Sequence, residues 1–289
     1  MLRDRFRIIV QTQWDGTAAD ALIALHARRS AASVERFGER APGRRIAVVL
    51  TGTDLYRDLP GSAEARRSID LADRLVVLQE DALRLLDGRW RAKAQVIFQS
   101  AHPLAPRRKR RDRLDCVVVG HLRDEKDPLT LFRAVELVPR DTPIAIRHIG
   151  ESLDPKLGAA ARALARKEPR YRYSGALPRG LTRAAIARAH CLVHPSVVEG
   201  GANVIVEAIT SGTWVIASRI SGNVGMLGDD YPGYFEPRDA SGLARCLVHA
   251  VEDPRYRREL AAACNKRRAI FIPRREAQAV RNLVDALLG

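Results

Sequence analysis

Long hydrophobic runs are missing from this sequence: no stretch approaches the ~18 consecutive apolar residues of a membrane-spanning helix. The basic start MLRDRFRIIV offers only Ile8, Ile9 and Val10 as an apolar run, too short for the core of a signal peptide. Cysteine is scarce. Cys116, Cys191, Cys246 and Cys264 form no C-x-x-C pair, so they predict neither a disulfide framework nor a metal site, but small buried side chains in a reducing cytosol. Aromatic residues make up 5% of the chain, which leaves few platforms on which bases stack. Lysine occurs at only six positions, so the net charge of +15 is carried by arginine. That charge is spread out, with one dense run at 107–113 (RRKRRDR), and it reads mostly as solvated surface. A nucleic-acid partner is not expected. No D-x-D motif ends a predicted strand; Asp229 and Asp230 adjoin Tyr231, Pro232 and Gly233 and read as a turn. Neither a metal nor another cofactor is expected.

What the chain does have is alternation. Apolar runs at 7–10, 20–25, 45–50, 74–78 and 95–98 read as strands, separated by helical stretches at about 30–40, 62–72 and 80–87. A polar, proline-containing basic passage over 104–114 reads as a linker. The pattern then restarts, with strands predicted at 115–119, 143–149, 171–173, 191–193 and 213–217. Helices are predicted between them at 127–137, 154–167, 180–189 and 203–211, then at about 240–250, 254–268 and 274–287. Such alternation on both sides of a linker predicts an α/β fold with two parallel-sheet, Rossmann-like domains, 1–103 and 115–273. Their ligands would lie at the C-terminal ends of the strands, in a cleft between the domains. The helix over 274–289 is expected to pack back toward the first domain. That domain reads as incomplete, because 7–10 leads into the polar QTQWDGTAAD rather than into a glycine turn and a helix. A first strand and helix are therefore expected upstream of Met1.

Residues 199–212, EGGANVIVEAITSG, are the most informative segment. Glu199 opens it, Gly200, Gly201 and Ala202 make a small-residue turn, and Val204, Ile205, Ala208 and Ile209 mark one buried helix face. Asn203 stands at the start of this helix, Glu207 lies further along it, and Gly212 occupies the place of a C-cap. The free N–H groups and positive dipole end of a helix start attract anions, and glycine lets a phosphate approach the backbone. Carboxylates repel phosphate but suit sugar hydroxyls, whose O–H groups need acceptors. A diphosphate cradle between two hydroxyl acceptors suits a nucleotide sugar. An ordinary glycine turn before a solvated helix would show the same residues.

A second segment, GHLRDEKDP at 120–128, ends the strand over 115–119. Gly120 frees the backbone, and His121, Arg123 and Lys126 stand just ahead of a helix, within reach of an anion. Together the two segments resemble the two-domain (GT-B) glycosyltransferases of the family-4 type. There a strand–Gly–basic–Leu–three residues–Lys loop and a Glu–seven residues–Glu segment bind the nucleotide sugar. The resemblance implies that Lys126 contacts the diphosphate, Glu207 the ribose hydroxyls and Glu199 the donor sugar, with the amides of 201–203 around the distal phosphate. His121 departs from the family, which usually has Arg there, and Arg123 is the compensating cation. Gly175 falls where the family lines its base pocket. Asn223, in what reads as the flexible loop GNVGML, is a further donor contact.

TGTDLYRDLP at 51–60, LHARRS at 25–30, EGGANV at 199–204 and GNVGMLGDDYPGYF at 222–235 also resemble the selenosugar synthase (SenB) branch. Its members join selenophosphate to a UDP-sugar, release UDP, and serve the route to selenoneine. The resemblance implies a cytoplasmic hexosyltransferase that uses UDP-N-acetylglucosamine or UDP-glucose and makes no integral membrane contact. For the acceptor, Thr51, Gly52, Thr53 and Asp54 follow one predicted strand, and His26, Arg28 and Arg29 follow another. Two guanidiniums suit a small dianion, although Asp and Thr at strand ends are commonly turn formers or caps. An anionic selenium or sulfur nucleophile needs no strong general base, and the sequence shows no obvious base dyad. Two other readings stay open. One is a family-4 O-glycosyltransferase of envelope polysaccharide or glycolipid synthesis; the other is a non-catalytic nucleotide-sugar-binding or decayed protein.

Overall fold

The computed structural model describes residues 1–105 and 107–289; Pro106, inside the expected linker, lies outside the described residues. The chain divides into two units, Met1–Ser100 with Pro273–Gly289, and Ala101–Ile272. Each is built on one parallel sheet.

The first unit runs β1 (Ala21–Leu25), α1 (Ala31–Arg40), β2 (Arg45–Leu50), α2 (Leu59–Gly61), α3 (Ala63–Leu71), β3 (Arg74–Val77), α4 (Gly88–Arg91) and β4 (Ala94–Val96). Its sheet has the order β1-β2-β3-β4, with every neighbouring pair parallel. Val34 and Phe37 of α1 and Ala65 and Ile69 of α3 share one core with Ile46, Val48 and Leu75 of the strands. Two expectations fail here. Residues 7–10 form no strand: Ile8, Ile9 and Val10 are exposed. A run of three apolar residues without a neighbour to pair with gains nothing from extension. Trp14 enters the core from this stretch instead, edge-on to Phe37 at 5.1 Å. The helix over 80–87 shortens to a tight 3₁₀ turn at Asp81–Leu85.

The second unit runs β5 (Leu114–Val119), α5 (Pro128–Leu137), β6 (Ile144–Ile149), α6 (Pro155–Lys167), β7 (Tyr171–Tyr173), α7 (Arg179–Arg188) and β8 (Cys191–His194). It continues with α8 (Asn203–Thr210), β9 (Trp214–Ser218), α9 (Ser221–Leu227), β10 (Tyr234–Phe235), α10 (Ala240–Glu252) and α11 (Pro254–Arg267). Three of these helices open on Asp-Pro. The Asp side chain accepts a first-turn N–H, from Thr130 (3.4 Å), Lys156 (2.8 Å) and Arg255 (2.7 Å), and Pro needs no acceptor there. Asn223 lies inside α9, fully buried, so the expected flexible loop is a packed helix. The sheet order is β10-β9-β8-β5-β6-β7, all parallel. The first strand to enter, β5, is central, and strands are added first on one side and then on the other. In open parallel sheets ligands bind outside the strand ends at such a switch point, here between β5 and β8. The loops that carry Lys126 and Glu199 follow those two strands.

The last helix, α12 (Pro273–Leu288), belongs to the first unit. Its Leu283 and Leu287 pack with Ala47, Val76 and Ile97.

Candidate functional site

The loops after β5, β6 and β7 are stitched together by backbone contacts. Gly120 N–H donates to Ile149 O and Gly150 N–H to Gly175 O, both at 2.9 Å. A Cβ at Gly150 would overlap the Gly120 carbonyl, so this approach requires glycine. Gly175 adopts φ +66°, which also favours glycine. Beneath them lies His148, buried, with Nε2 at 3.2 Å from Gly120 O and Nδ1 at 2.9 Å from the Tyr171 hydroxyl. Burial pushes its pKa down to about 4 against the smaller opposing effect of the Gly120 carbonyl, so the ring is neutral.

Lys126 closes a 3₁₀ turn at Asp124–Lys126, and its Nζ donates to Glu199 Oε1 in a short ion pair. Val197 N–H donates to Glu125 O at 2.9 Å and fixes the two loops to each other. His194, the last residue of β8, places Nε2 at 3.3 Å from the same Glu199 oxygen. Burial alone would raise the Glu199 carboxyl, but His194 and Lys126 outweigh it and hold the group well below the usual carboxylate range. Both of these contacts use Oε1; Glu199 Oε2 takes no part in them.

Gly200 and Gly201 lead to Ala202, the cap residue of α8, whose side chain cannot accept a first-turn N–H. A Cβ at Gly222 would overlap the Glu199 carbonyl, so the start of α9 packs directly on the Glu199 backbone. Glu207, in α8, is buried with Arg183 Nε at 3.5 Å and Arg179 Nε at 3.9 Å. Burial raises its pKa, and the two guanidiniums oppose that. Gly120, Lys126 and Glu199 to Asn203 thus gather at the ends of β5 and β8, while Glu207 lies further along α8 against Arg183 and Arg179 of α7. His121 and Arg123 stay in the exposed part of the loop: His121 Nδ1 accepts from Glu151 N–H at 3.0 Å, and Arg123 lies 3.8 Å from Glu125. Asn223 sits deeper and spends its Nδ2 on the Ser218 carbonyl (2.9 Å) and hydroxyl (3.1 Å). Partners of these carboxylates, His194, Arg183 and Arg179, went unread in the sequence. His194 carried a faint signal, as a polar residue ending a short apolar strand five positions before Glu199. Arg183 carried none in so arginine-rich a chain.

In the first unit, His26 follows β1 with φ +74°, a left-handed conformation that costs energy for a non-glycine residue and recurs at functional sites. Its Nδ1 accepts from Arg29 N–H at 3.3 Å, which leaves Nε2 to donate to Thr53 Oγ1 at 3.0 Å. Asp54 is fully buried and accepts from the N–H groups of Thr51 (2.8 Å), Gly52 (2.8 Å), Leu55 (3.1 Å) and Ala27 (3.0 Å). The cluster also holds a residue missed in the sequence, Asp58, which pairs with Arg28 at 3.1 Å and lies 3.7 Å from His26 Nε2. Among the described residues no group of three His, Cys, Asp or Glu converges to hold a metal ion, and no helix is long and apolar enough to cross a membrane.

The profile of the family described as glycosyl transferases group 1 matches residues 105–267, more than half of the chain. The chain belongs to this family. The chain is similar to solved structures of GT-B fold across both units. A mutant of TarM from S. aureus superposes with a TM-score of 0.71 at 16% identity, over 92% of this chain and 55% of that one. HepE of Anabaena gives 0.71 at 15% identity, covering 92% and 78%. A trehalose-phosphate synthase of Burkholderia xenovorans gives 0.74 at 14% identity, covering 92% and 73%. The chain thus spans about half the length of TarM. No curated protein sequence matches it.

Proposed function

We propose that the second unit binds a UDP-sugar, UDP-N-acetylglucosamine or UDP-glucose, and that the sugar passes to selenophosphate held by residues of the first unit. The observation that carries the donor half is the convergence of Lys126 and Glu199 beside the uncapped start of α8, with Glu207 further along the same helix. TarM and HepE were solved with UDP bound, which supports UDP as the nucleotide. In the transfer the bond from the anomeric carbon to the diphosphate breaks, and UDP leaves with the electron pair. The selenium anion forms the new bond. Lys126 and the first-turn N–H groups of α8, with Arg123 from the loop, stabilise the charge that grows on the departing diphosphate; one well-placed donor of this kind is worth about 3 kcal/mol. Glu199 takes a hydroxyl of the donor sugar through Oε2, and Glu207 takes the ribose. His26, Arg28, Arg29 and the turn at Thr51, Gly52, Thr53 and Asp54 form the acceptor side. With two small polar substrates, the reaction belongs in the cytoplasm.

One observation favours a second reading, O-glycosyl transfer to a hydroxyl. Asp58 neutralises Arg28 and faces His26 Nε2, and a carboxylate beside an imidazole suits proton removal from a hydroxyl better than binding of a dianion. Mass spectrometry of reactions with either UDP-sugar and freshly generated selenophosphate separates the two. A product with selenium's isotope pattern, absent with Glu199→Ala, supports the first reading. UDP release that depends on an added sugar or polyol, with no selenium product, supports the second. Lys126→Ala is expected to lower turnover by about 10²–10³ in either case; unchanged turnover would remove Lys126 from the site.

A further inference from the structure

His194 ends β8 with its side chain only 2% exposed. A buried ring nitrogen ordinarily finds a hydrogen-bond partner, yet Nε2 of His194 has none among the described residues. It stands 3.3 Å from Glu199 Oε1 but off the line of a hydrogen bond, and Lys126 Nζ already holds that oxygen. Two basic side chains therefore face one carboxylate oxygen: Lys126 bonds it directly, while His194 acts on it through charge without an aligned hydrogen bond. Removing Lys126 with His194 left off line would leave a largely buried carboxylate without a hydrogen bond, which is strongly unfavourable. Yet the donor-site reading requires Lys126 to turn to the diphosphate.

We infer that His194 is a positioning residue that takes over Glu199 Oε1 when Lys126 moves to the diphosphate of the donor. The inference rests on the donor-site reading of the second unit. His194, with the proton on Nε2, straightens into a hydrogen bond as Lys126 withdraws. The charge on Glu199 stays compensated, and Oε2 keeps its aim at the sugar. The exchange accounts for the unbonded nitrogen: the lysine satisfies Glu199 until it turns to the diphosphate, and the histidine does so afterwards. It also lowers the cost of lending Lys126, so that binding free energy is not lost to a stranded carboxylate. A role limited to filling the core would not couple His194 to the charge on Glu199.

The test is UDP titration by calorimetry on the full chain, with thermal melting to confirm folding. His194→Phe removes the donor, and UDP affinity is expected to fall by on the order of tenfold, the size of one hydrogen bond to a charged group. His194→Gln keeps an N–H donor and should stay near wild type. In the Glu199→Gln background no charge is left to strand, so adding His194→Phe should cost little further affinity. If His194→Phe fails to fold, His194→Met carries the same cycle, because its flexible chain fills the space without a donor. An equal loss with and without Glu199→Gln, or no loss at all, overturns the inference while leaving the donor site intact. Failure of the wild-type chain to bind UDP overturns the donor-site reading, and the inference with it.

Discussion

Asp54 shows how one side chain holds two loops in place. Its carboxylate takes N–H groups from the turn after β2 and from Ala27 after β1, and thereby sets His26 and Thr53 side by side. Asp54→Ala leaves these donors without an acceptor and is expected to destabilise the first unit by about 3–5 kcal/mol. A shift of the urea midpoint measures it, and Asp54→Asn should lose less. In the sequence Asp54 was visible as a turn former; its grip on Ala27 was not, because that contact spans 27 residues. His148 makes a pH prediction. Its folded pKa of about 4 lies below its ordinary 6.5, so between these values the unfolded chain binds more protons. Stability therefore falls as pH drops from about 6.5 to about 4, and the contribution is gone below that. Melting temperatures across this range should show the slope, and His148→Phe should flatten it.

At the scale of elements, α8 serves two competing ends on the proposed donor-site reading. Its start has no side-chain cap, which leaves first-turn N–H groups for a phosphate and forgoes stability. Ala202→Asp supplies the cap, worth about 1 kcal/mol, and sets a negative charge where the diphosphate is to lie. The expected result is a higher melting temperature with UDP affinity more than about tenfold weaker. Unchanged affinity would move the phosphate away from α8. Elements were readable from the sequence where apolar spacing and caps agreed, as at the three Asp-Pro helix starts. They were misread where one signal stood alone. The apolar run at 7–10 had no partner strand, and the glycines of GNVGML suggested mobility although Gly222 is demanded by contact with Glu199.

At the scale of the whole molecule, the chain leaves the first unit at Ser100 and returns to it at Pro273. Deleting Pro273–Gly289 uncovers Ala47, Val76 and Ile97. Loss of the buried Leu283 and Leu287 alone removes several kcal/mol. The truncated chain is expected to lose the melting transition of the first unit and keep that of the second, as seen by calorimetry with limited proteolysis. A single unchanged transition would show that α12 contributes little.

By itself the sequence determined the alternation of strands and helices, the two parallel sheets, and the loops and helix on which Lys126, Glu199 and Glu207 stand. Those depend on spacing within a few turns of chain, where periodicity and local backbone chemistry act. Tertiary structure alone decided the partners. Strand order set β5 beside β8 and so brought Lys126 onto Glu199 across 73 residues. The same packing turned His194 toward that carboxylate, Arg183 toward Glu207, and Asp58 toward Arg28 and His26. Charge pairing between distant residues follows from which surfaces pack together, and no local pattern records it.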